Sequence, residues 1–245
     1  MSEKKKVFLL DAMALIYRAH FAFIKNPRIN SKGMNTSAIF GFVNSLVEVL
    51  EKEKPSHIAV AFDSYEPTER HENFSDYKAN RDKQPEDITI ALPIIKSLLQ
   101  AFNIPALEVS GYEADDIIAT LAEKASSGFD IYMYTPDKDY AQLVRDNVFL
   151  YKPSRMGKPS QLWDVEKVKE EFGIERVEQV IDIQGLMGDS VDNIPGVPGI
   201  GPKTAQKLIA EYGSIENLLE NLDKLKGKVK QNLEENVENA KLSKQ

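Results

Sequence analysis

Residues 7–11 read VFLLD, and this short stretch decides which folds the chain can adopt. Four consecutive apolar residues are typical of a strand buried on both faces, as the strands of a parallel sheet are. Two further runs match it, IAVAFD at residues 58–63 and IYMYTPD at residues 131–137. The three runs therefore predict strands of one parallel central sheet.

Helical patterns lie between and beside these runs. They cover Thr36 to Glu53, Ile88 to Phe102 with a kink expected at Pro93, and Ala114 to Ala125. Strands that alternate with helices indicate an α/β domain. We place this domain at residues 1–182.

Toward the C-terminus, short helices separated by Gly and Pro replace the strands, which predicts a small helical region at residues 183–245. Its clearest unit is GVPGIGPKTAQKLIAEYG at residues 196–213. Pro202 suits the first position of a helix and Gly213 suits its end. Ser214 is then expected to cap the following helix.

Composition excludes several classes of protein. The 245 residues contain no stretch of about 20 apolar residues, and the start MSEKKKVFLLDA has too short an apolar run for a signal peptide. We therefore expect a soluble, cytoplasmic protein. The chain has no Cys, and its three His are scattered, so neither thiolate ligands nor a zinc site is expected. Any metal ion must be held by oxygen.

Each predicted strand is followed by acids. Asp11 follows the first, Asp63 the second, and Asp137 and Asp139 the third. In open parallel sheets, ligands bind beyond the carboxyl ends of the strands. We therefore expect these four carboxylates to meet along one edge of the sheet.

Two more acidic groups come from other elements. Glu113, Asp115 and Asp116 open a predicted helix, where acids are also favoured as ordinary N-terminal caps. Asp189 and Asp192, in GDSVDN, are spaced to share one side of a turn or helix, and such a pair often only shapes a turn. Taken singly, each group has this purely structural alternative.

Taken together, the nine acids point to metal ions, because crowded carboxylates repel one another unless cations neutralise them. Oxygen-only ligands favour hard cations such as Mg²⁺ or Mn²⁺. So many acids favour two or more ions about 4 Å apart, some held through water. Such ions suit phosphodiester hydrolysis, although a phosphatase could use the same metals.

The net charge of −7 does not exclude nucleic acid as a partner. If nine of the 38 acids sit together as metal ligands, 29 acids remain against 31 Lys and Arg. The rest of the surface is then slightly basic. Affinity for phosphate rests on such Lys and Arg side chains.

The Gly-rich unit predicts a phosphate site. Gly196, Gly199 and Gly201 precede the helix that starts near Pro202, so bare backbone N–H groups are expected at a positive helix end. Lys203 and Lys207 add charge to it. The alternative is a plain Gly-rich turn between helices. The spacing GxxxxGK[ST] of a Walker A loop is absent.

The polar segment at residues 64–84 is the least regular part of the chain, and long polar connections are usually functional or disordered. Lys78 and Arg81 lie three residues apart, and we expect them to share a helix face and to grip a phosphate. Tyr77 is placed to stack on a base, and Arg70 lies upstream. A solvated, charged helix is the alternative.

Five segments carry a resemblance to a known family: LLDAMALIYRA, AFDSYEPTERHENFSDYKANR, GYEADDIIATLA, TPDKDYAQLV and GLMGDSVDNIPGVPGIGPKTA. In this order and over nearly the whole chain, they resemble the 5′ nuclease domain of bacterial DNA polymerase I, within the flap endonuclease superfamily. The resemblance implies removal of nucleotides from 5′ ends and structure-dependent cleavage of 5′ flaps, in primer removal and repair.

The resemblance also implies a PIN-like α/β fold with flanking helices around the parallel sheet. A helical arch at about residues 64–90 and a duplex-binding helix-three-turn-helix region, of the helix-hairpin-helix type, complete it. The first metal ion would then be served by Asp11, Asp63, Glu113, Asp115 and Asp116. The second would be served by Asp137, Asp139, Asp189 and Asp192.

The remaining roles carried over by the resemblance concern DNA. Lys78 and Arg81 match the catalytic arch cations, Arg70 and Tyr77 lie in the adjoining DNA-binding stretch, and the Gly196 to Lys203 hairpin matches the duplex site, which can hold K⁺. The expected partner is DNA with a 5′ flap, nick or gap, or with an RNA primer. We expect a monomer, either an excised portion of a polymerase chain or a stand-alone nuclease acting at the nucleoid of a bacterium.

Two rival interpretations stay open. One is a non-catalytic junction-binding protein whose acids fold around a structural ion. The other is a PIN-type ribonuclease, which shares the acidic edge but usually lacks the arch and the Gly-rich hairpin.

Overall fold

The computed structural model describes residues 5–125, 128–154 and 158–245. The chain divides into two compact units, the first formed by Met1–Glu69 and Lys83–Asp164, the second by Arg70–Asp82 and Val165–Gln245. The expected boundary at residues 182 and 183 falls within a helix of the second unit and stays a prediction.

The first unit is built on a six-stranded sheet. Its strands are β1 (Lys5–Asp11), β2 (His57–Ala61), β3 (Ala106–Leu107), β4 (Phe129–Tyr134), β5 (Val148–Lys152) and β6 (Gln161–Trp163). They lie in the order β3-β2-β1-β4-β5-β6, and all neighbours pair in parallel except β5 and β6, which are antiparallel. The three strands predicted from the sequence are therefore confirmed as the adjacent trio β2-β1-β4.

The register of this trio brings its carboxyl ends level. Leu10 pairs with Val60 on one side and with Tyr134 on the other. The residues that follow each strand therefore emerge at one edge of the sheet, where ligands of parallel sheets bind.

The helices include the three segments predicted for the α/β domain, together with others. They are α1 (Ala12–Ala22), α2 (Ser37–Glu48), α3 (Glu69–Asn73), α4 (Glu86–Ala101), α5 (Ala114–Lys124), α6 (Val165–Phe172), α7 (Gln179–Met187), α8 (Pro202–Tyr212), α9 (Ile215–Glu220), α10 (Gly227–Glu235) and α11 (Val237–Lys244). A π-helical turn, Val49–Glu53, continues α2 to the predicted end. Pro93 lies inside α4, and a kink there stays a prediction. In the described ranges, no helix is long and apolar enough to cross a membrane.

The core of the first unit lies between one face of the sheet and α1, α2 and α4. Phe8 and Leu10 of β1 pack there with Ile16, Phe42 and Ile95, all essentially inaccessible to solvent. Burial of this many large apolar side chains is the main source of stability in such a domain. It makes the sheet a rigid base for the residues at its edge.

Local signals set the helix ends in the second unit. Pro202 begins α8, and Gly213 ends it with a left-handed φ of 83°. Ser214 then caps α9, its hydroxyl accepting a hydrogen bond from the Asn217 N–H at 3.3 Å. All three roles are confirmed.

The helical arch is only partly realised. Apart from the short α3, the segment at residues 64–85 consists of turns and irregular chain. Lys78 has a left-handed φ of 56°, which a right-handed helix does not accommodate. The prediction that Lys78 and Arg81 share a helix face is therefore wrong.

Candidate active site

Asp11 and Glu113 are the two predicted metal ligands that are buried. Asp11 ends β1 and caps α1, with Oδ1 accepting a hydrogen bond from the Ala14 N–H at 3.0 Å. Oδ2 accepts two more, from Thr135 Oγ1 at 3.2 Å and from the Tyr140 hydroxyl at 3.1 Å. The residue is 7% exposed. These three hydrogen bonds hold the Asp11 carboxylate at the carboxyl edge of the sheet.

The electrostatics of Asp11 show that acids from three strands lie within reach of one another. Burial is the main cause that raises its pKa to about 7, and the negative charges of Asp63 and Asp137 raise it further. The hydrogen bonds from Ala14 and Tyr140 lower it. Asp11, Asp63 and Asp137 therefore gather at one edge, as the topology predicts.

The start of α5 joins this edge. The Ala114 N–H donates to Asp63 Oδ1 at 2.8 Å, which ties the end of β2 to the first turn of the helix. Glu113 and Asp116 form a reciprocal capping box, and the Asp116 N–H donates to Asp115 Oδ1 at 2.8 Å. These acids thus act as helix caps, and their role as metal ligands stays a prediction.

Beyond β4, the turn from Thr135 to Asp139 is ordered by its own side chains. Thr135 Oγ1 accepts from the Asp137 N–H at 3.2 Å, and Asp137 Oδ1 accepts from the Asp139 N–H at 2.9 Å. Asp137 is exposed, whereas Asp139 is half-buried. Both are held next to the residues that contact Asp11.

Across the described ranges, no three acidic or histidine side chains are spaced to hold one metal ion directly. Several of these carboxylates accept hydrogen bonds from backbone N–H groups or hydroxyls. The donor set still fits a hard cation, because it is made of carboxylates. Burial, together with the charges of Asp63 and Asp137, raises the pKa of Asp11, and a bound cation would offset both.

The second unit holds Asp189 and Asp192 in a turn. Asp189 Oδ1 accepts from the Val191 N–H at 2.7 Å, so this residue shapes the turn as the structural alternative proposes. Asp192 forms an ion pair with Arg81 and lies 4.0 Å from Lys78 Nζ. The Lys78 N–H also donates to the Asp192 carbonyl at 2.9 Å. Metal binding by these two acids stays a prediction.

Tyr77 is covered in this conformation. The residue is 7% exposed, its ring lies edge-on to His71 at 5.1 Å, and Lys78 Nζ lies 4.8 Å from the ring centroid. Stacking on a base requires the ring to move, so that role stays a prediction. Arg70 and Arg81, by contrast, are exposed.

The Gly-rich hairpin uses its glycines in different ways. The Gly196 N–H donates to Ser243 Oγ at 2.9 Å, so this group is not directed to a phosphate as expected. A Cβ on Gly196 would lie 2.5 Å from the Met187 carbonyl carbon, and one on Gly188 would lie 2.6 Å from the Gly196 nitrogen. Backbone therefore touches backbone at this point, which requires glycine on both sides.

The start of α8 is the open part of the hairpin. Gly201 precedes Pro202 as the N-cap, and a Cβ there would meet nothing within 4 Å. Gly199 has a left-handed φ of 82°, and its Cβ would approach Asn232. Lys203 and Lys207 are exposed one helical turn apart. This end of α8 keeps the features of a phosphate site.

Sequence reasoning missed Thr135, Tyr140 and Ser243. The first two belong to the segment TPDKDY, whose acids alone were assigned roles. The position of Thr135 directly after a buried strand was the available signal. Ser243 contacts a glycine 47 residues away in the sequence, which no local pattern indicates.

Two family models match the chain in succession. The 5′-3′ exonuclease N-terminal resolvase-like domain matches residues 6–173, and the 5′-3′ exonuclease C-terminal SAM fold matches residues 175–245. DNA polymerase I of Bacillus subtilis (strain 168) is 44% identical over 248 residues, covering 100% of this chain and 28% of that protein. The 5′-3′ exonuclease of Aquifex aeolicus (strain VF5) is 42% identical over 221 residues, covering 90% of this chain and 74% of that protein. The chain thus spans little more than a quarter of the DNA polymerase I relatives it matches.

Solved structures show the same fold. A T5 5′-exonuclease with divalent metal ions (zinc) bound has a TM-score of 0.81 at 23% identity, covering 98% of this chain and 88% of that one. The catalytic core of Rad2 in complex with DNA substrate has a TM-score of 0.62 at 21% identity, covering 96% and 73%. The predicted α/β architecture with a small helical region is therefore confirmed.

Proposed function

Since the chain belongs to the 5′-3′ exonuclease family, we propose that it is a metal-dependent 5′ nuclease that hydrolyses DNA at 5′ ends and 5′ flap junctions. One observation carries the proposal: Asp11, Asp63 and Asp137 gather at the carboxyl edge of the parallel sheet, where burial and the charges of the other two acids raise the pKa of Asp11. Such crowding of acids is stable at neutral pH when cations are bound.

The acids supply the oxygen ligands that Mg²⁺ or Mn²⁺ requires. Two or more such ions, when bound, activate water and stabilise charge on the attacking and leaving oxygens of a phosphodiester. We assign Asp11, Asp63, Glu113, Asp115 and Asp116 to the first ion. We assign Asp137, Asp139, Asp189 and Asp192 to the second. A solved relative of the fold, a T5 5′-exonuclease, has divalent metal ions bound.

Lys78 and Arg81 are proposed to donate to the scissile phosphate. Both lie against Asp192, so their charge is held in place before a phosphate arrives. Donors fixed before the substrate arrives stabilise developing negative charge more than mobile ones do. Arg70, which is exposed, would contact the adjoining DNA backbone.

The start of α8 is proposed to hold the duplex. Its open N-terminus at Gly201, with Lys203 and Lys207, suits a backbone phosphate, and a K⁺ ion could share the hairpin. Such contacts carry no sequence information, so we expect the enzyme to recognise the shape of the junction. Among solved structures of this fold, the Rad2 core is in complex with DNA substrate.

The wider setting is also proposed. DNA with a flap, nick or gap is the substrate, with an RNA primer as a further candidate, and the chain acts as a monomer. Its relatives include bacterial DNA polymerase I, in which the matching region is part of a longer protein. We therefore place the activity in the bacterial cytoplasm at the nucleoid, with a polymerase portion as the natural fusion partner.

The test is cleavage of a 5′-labelled flap duplex with Mg²⁺ or with EDTA, with products sized against the blunt duplex and the free strand. We expect Mg²⁺-dependent release near the junction. The Asp115→Asn variant is the matched control, and it should bind the flap in EDTA as the wild type does yet fail to cut it.

The rivals give different results in the same assay. Binding without cutting in both Mg²⁺ and Mn²⁺ would establish a junction-binding protein instead. Faster cleavage of an RNA flap than of a DNA flap with the same shape would establish a ribonuclease.

A further inference from the structure

Two buried hydroxyls converge on one oxygen of Asp11. Thr135 is 0% exposed and Tyr140 is 3% exposed, and both donate to Oδ2, at 3.2 Å and 3.1 Å. Thr135 follows directly after β4, whereas Tyr140 lies in the 3₁₀ turn Asp139–Leu143. Two separate pieces of backbone therefore fix the orientation of the same carboxylate.

The number of hydrogen bonds limits what Asp11 can still accept. An ionised carboxylate has about four lone-pair positions, two on each oxygen. The two hydroxyls fill Oδ2, and the Ala14 N–H takes one position on Oδ1. About one acceptor position is left, and it lies on Oδ1.

This arrangement is poorly suited to a purely structural carboxylate. A buried charge costs free energy unless it is paired, and the two side chains that donate to Asp11 are neutral hydroxyls. Neutral donors orient the charge without cancelling it. The remaining negative charge is therefore available to a cation.

We infer that Tyr140 and Thr135 are positioning residues that saturate Oδ2 of Asp11 and so direct its Oδ1 toward a divalent cation. The inference rests on the proposed function, since it concerns the same metal site. Residues that orient a ligand in this way typically change metal affinity about 10-fold to 100-fold when they are removed.

The test uses substitutions that delete one hydroxyl and keep the packing. Tyr140→Phe removes the donor and keeps the buried ring. Thr135→Val removes the second donor and also the acceptor of the Asp137 N–H, whereas Thr135→Ser keeps both as the conservative variant. The matched control is Tyr151→Phe. Tyr151 lies on β5 of the same sheet, and its hydroxyl donates to Glu53 at 2.8 Å.

The readouts are Mn²⁺ binding to the DNA-free protein by calorimetry, the half-saturating Mg²⁺ concentration for flap cleavage, and thermal unfolding in EDTA. We expect Tyr140→Phe and Thr135→Val to weaken Mn²⁺ binding about 10-fold. Both should raise the half-saturating Mg²⁺ concentration by a similar factor. Thr135→Ser and Tyr151→Phe should stay within about twofold of the wild type.

Outcomes separate the inference from the function beneath it. A folded Tyr140→Phe that binds Mn²⁺ like the wild type, with only a lower unfolding temperature, would overturn the positioning role and leave the nuclease assignment intact. If that variant does not fold, Thr135→Val decides by the same comparison. A wild type that neither binds Mn²⁺ nor cleaves the flap would overturn the proposed function, and this inference with it.

Discussion

Asp11 and Asp192 are both predicted metal ligands, yet their surroundings differ in kind. Asp11 is 7% exposed and accepts hydrogen bonds from a backbone N–H and two neutral hydroxyls. The Asp192 side chain is 25% exposed and lies against the cations of Lys78 and Arg81. Asp11 is therefore buried among other acids, whereas the negative charge of Asp192 is paired with positive side chains of the protein.

The difference teaches that the two regions depend on added cations to different degrees. Around Asp11, neighbouring Asp63 and Asp137 add negative charge, so a metal ion should stabilise the fold there. Around Asp192, Lys78 and Arg81 already supply positive charge, and we propose that a DNA phosphate binds to it.

The largest effect is expected at Asp11. Asp11→Asn keeps a residue that can cap α1 but removes the buried negative charge, so a metal ion should be held weakly or misplaced. We expect kcat for flap cleavage to fall about 1000-fold, equivalent to about 4 kcal/mol. Single-turnover kinetics at saturating Mg²⁺ measure it, with DNA affinity in EDTA as the control. Turnover near the wild-type rate would remove Asp11 from the metal site.

The same substitution should change how stability depends on pH. The folded pKa of Asp11, about 7, lies above its ordinary value of 3.8, so the folded protein binds this proton more tightly than the unfolded chain. Stability contributed in this way is present below about pH 4 and is lost as pH rises toward 7, by up to about 4 kcal/mol without metal.

Urea unfolding in EDTA checks this expectation. Asp11→Asn should show a flatter profile between pH 4 and 7 and should be more stable than the wild type at pH 8. Adding Mg²⁺ should raise the free energy of unfolding of the wild type at pH 8 and so remove much of its deficit relative to Asp11→Asn. Parallel profiles for the two proteins would contradict the raised pKa.

A smaller effect is expected from the charged side of the contrast. Lys78→Ala should lower kcat about 100-fold, as loss of one fixed donor to developing charge typically does. DNA affinity should fall much less. Lys241→Ala, which removes an exposed lysine paired with Glu238, is the control. Equal losses in kcat and affinity would show that Lys78 only binds DNA electrostatically and does not stabilise the transition state.

The smallest effect concerns the open end of α8. Gly201 has φ of −94°, and a Cβ there meets no neighbour, so Gly201→Ala should leave the free energy of unfolding within about 1 kcal/mol. If DNA approaches this backbone closely, affinity for a duplex should still fall severalfold. Unchanged affinity, measured by fluorescence anisotropy, would place the duplex elsewhere on the second unit.

The sequence was most informative where local chemistry decides structure. Short apolar runs fixed the strands, Pro202 and Gly213 bounded α8, and Ser214 capped the next helix as expected. The gathering of Asp11, Asp63 and Asp137 followed from the rule that parallel strands end at one edge.

The rest depends on contacts between distant segments. The left-handed backbone of Lys78 accompanies a hydrogen bond to Asp192, more than a hundred residues away, which no helical periodicity could reveal. Tyr140 contacts Asp11 across 129 positions of sequence. Spacing indicates which residue types can do chemistry, whereas packing determines which neighbours orient them.

The contact between Gly188 and Gly196 also constrains how this protein can evolve. A side chain on Gly188 meets the backbone of the opposite segment, and one on Gly196 does the same. A second mutation cannot make the backbone smaller. A side chain at either glycine therefore cannot be accommodated by a substitution elsewhere. In a library of all single and double variants, both sites should tolerate glycine alone. No second substitution should restore folding to a variant that has lost either glycine.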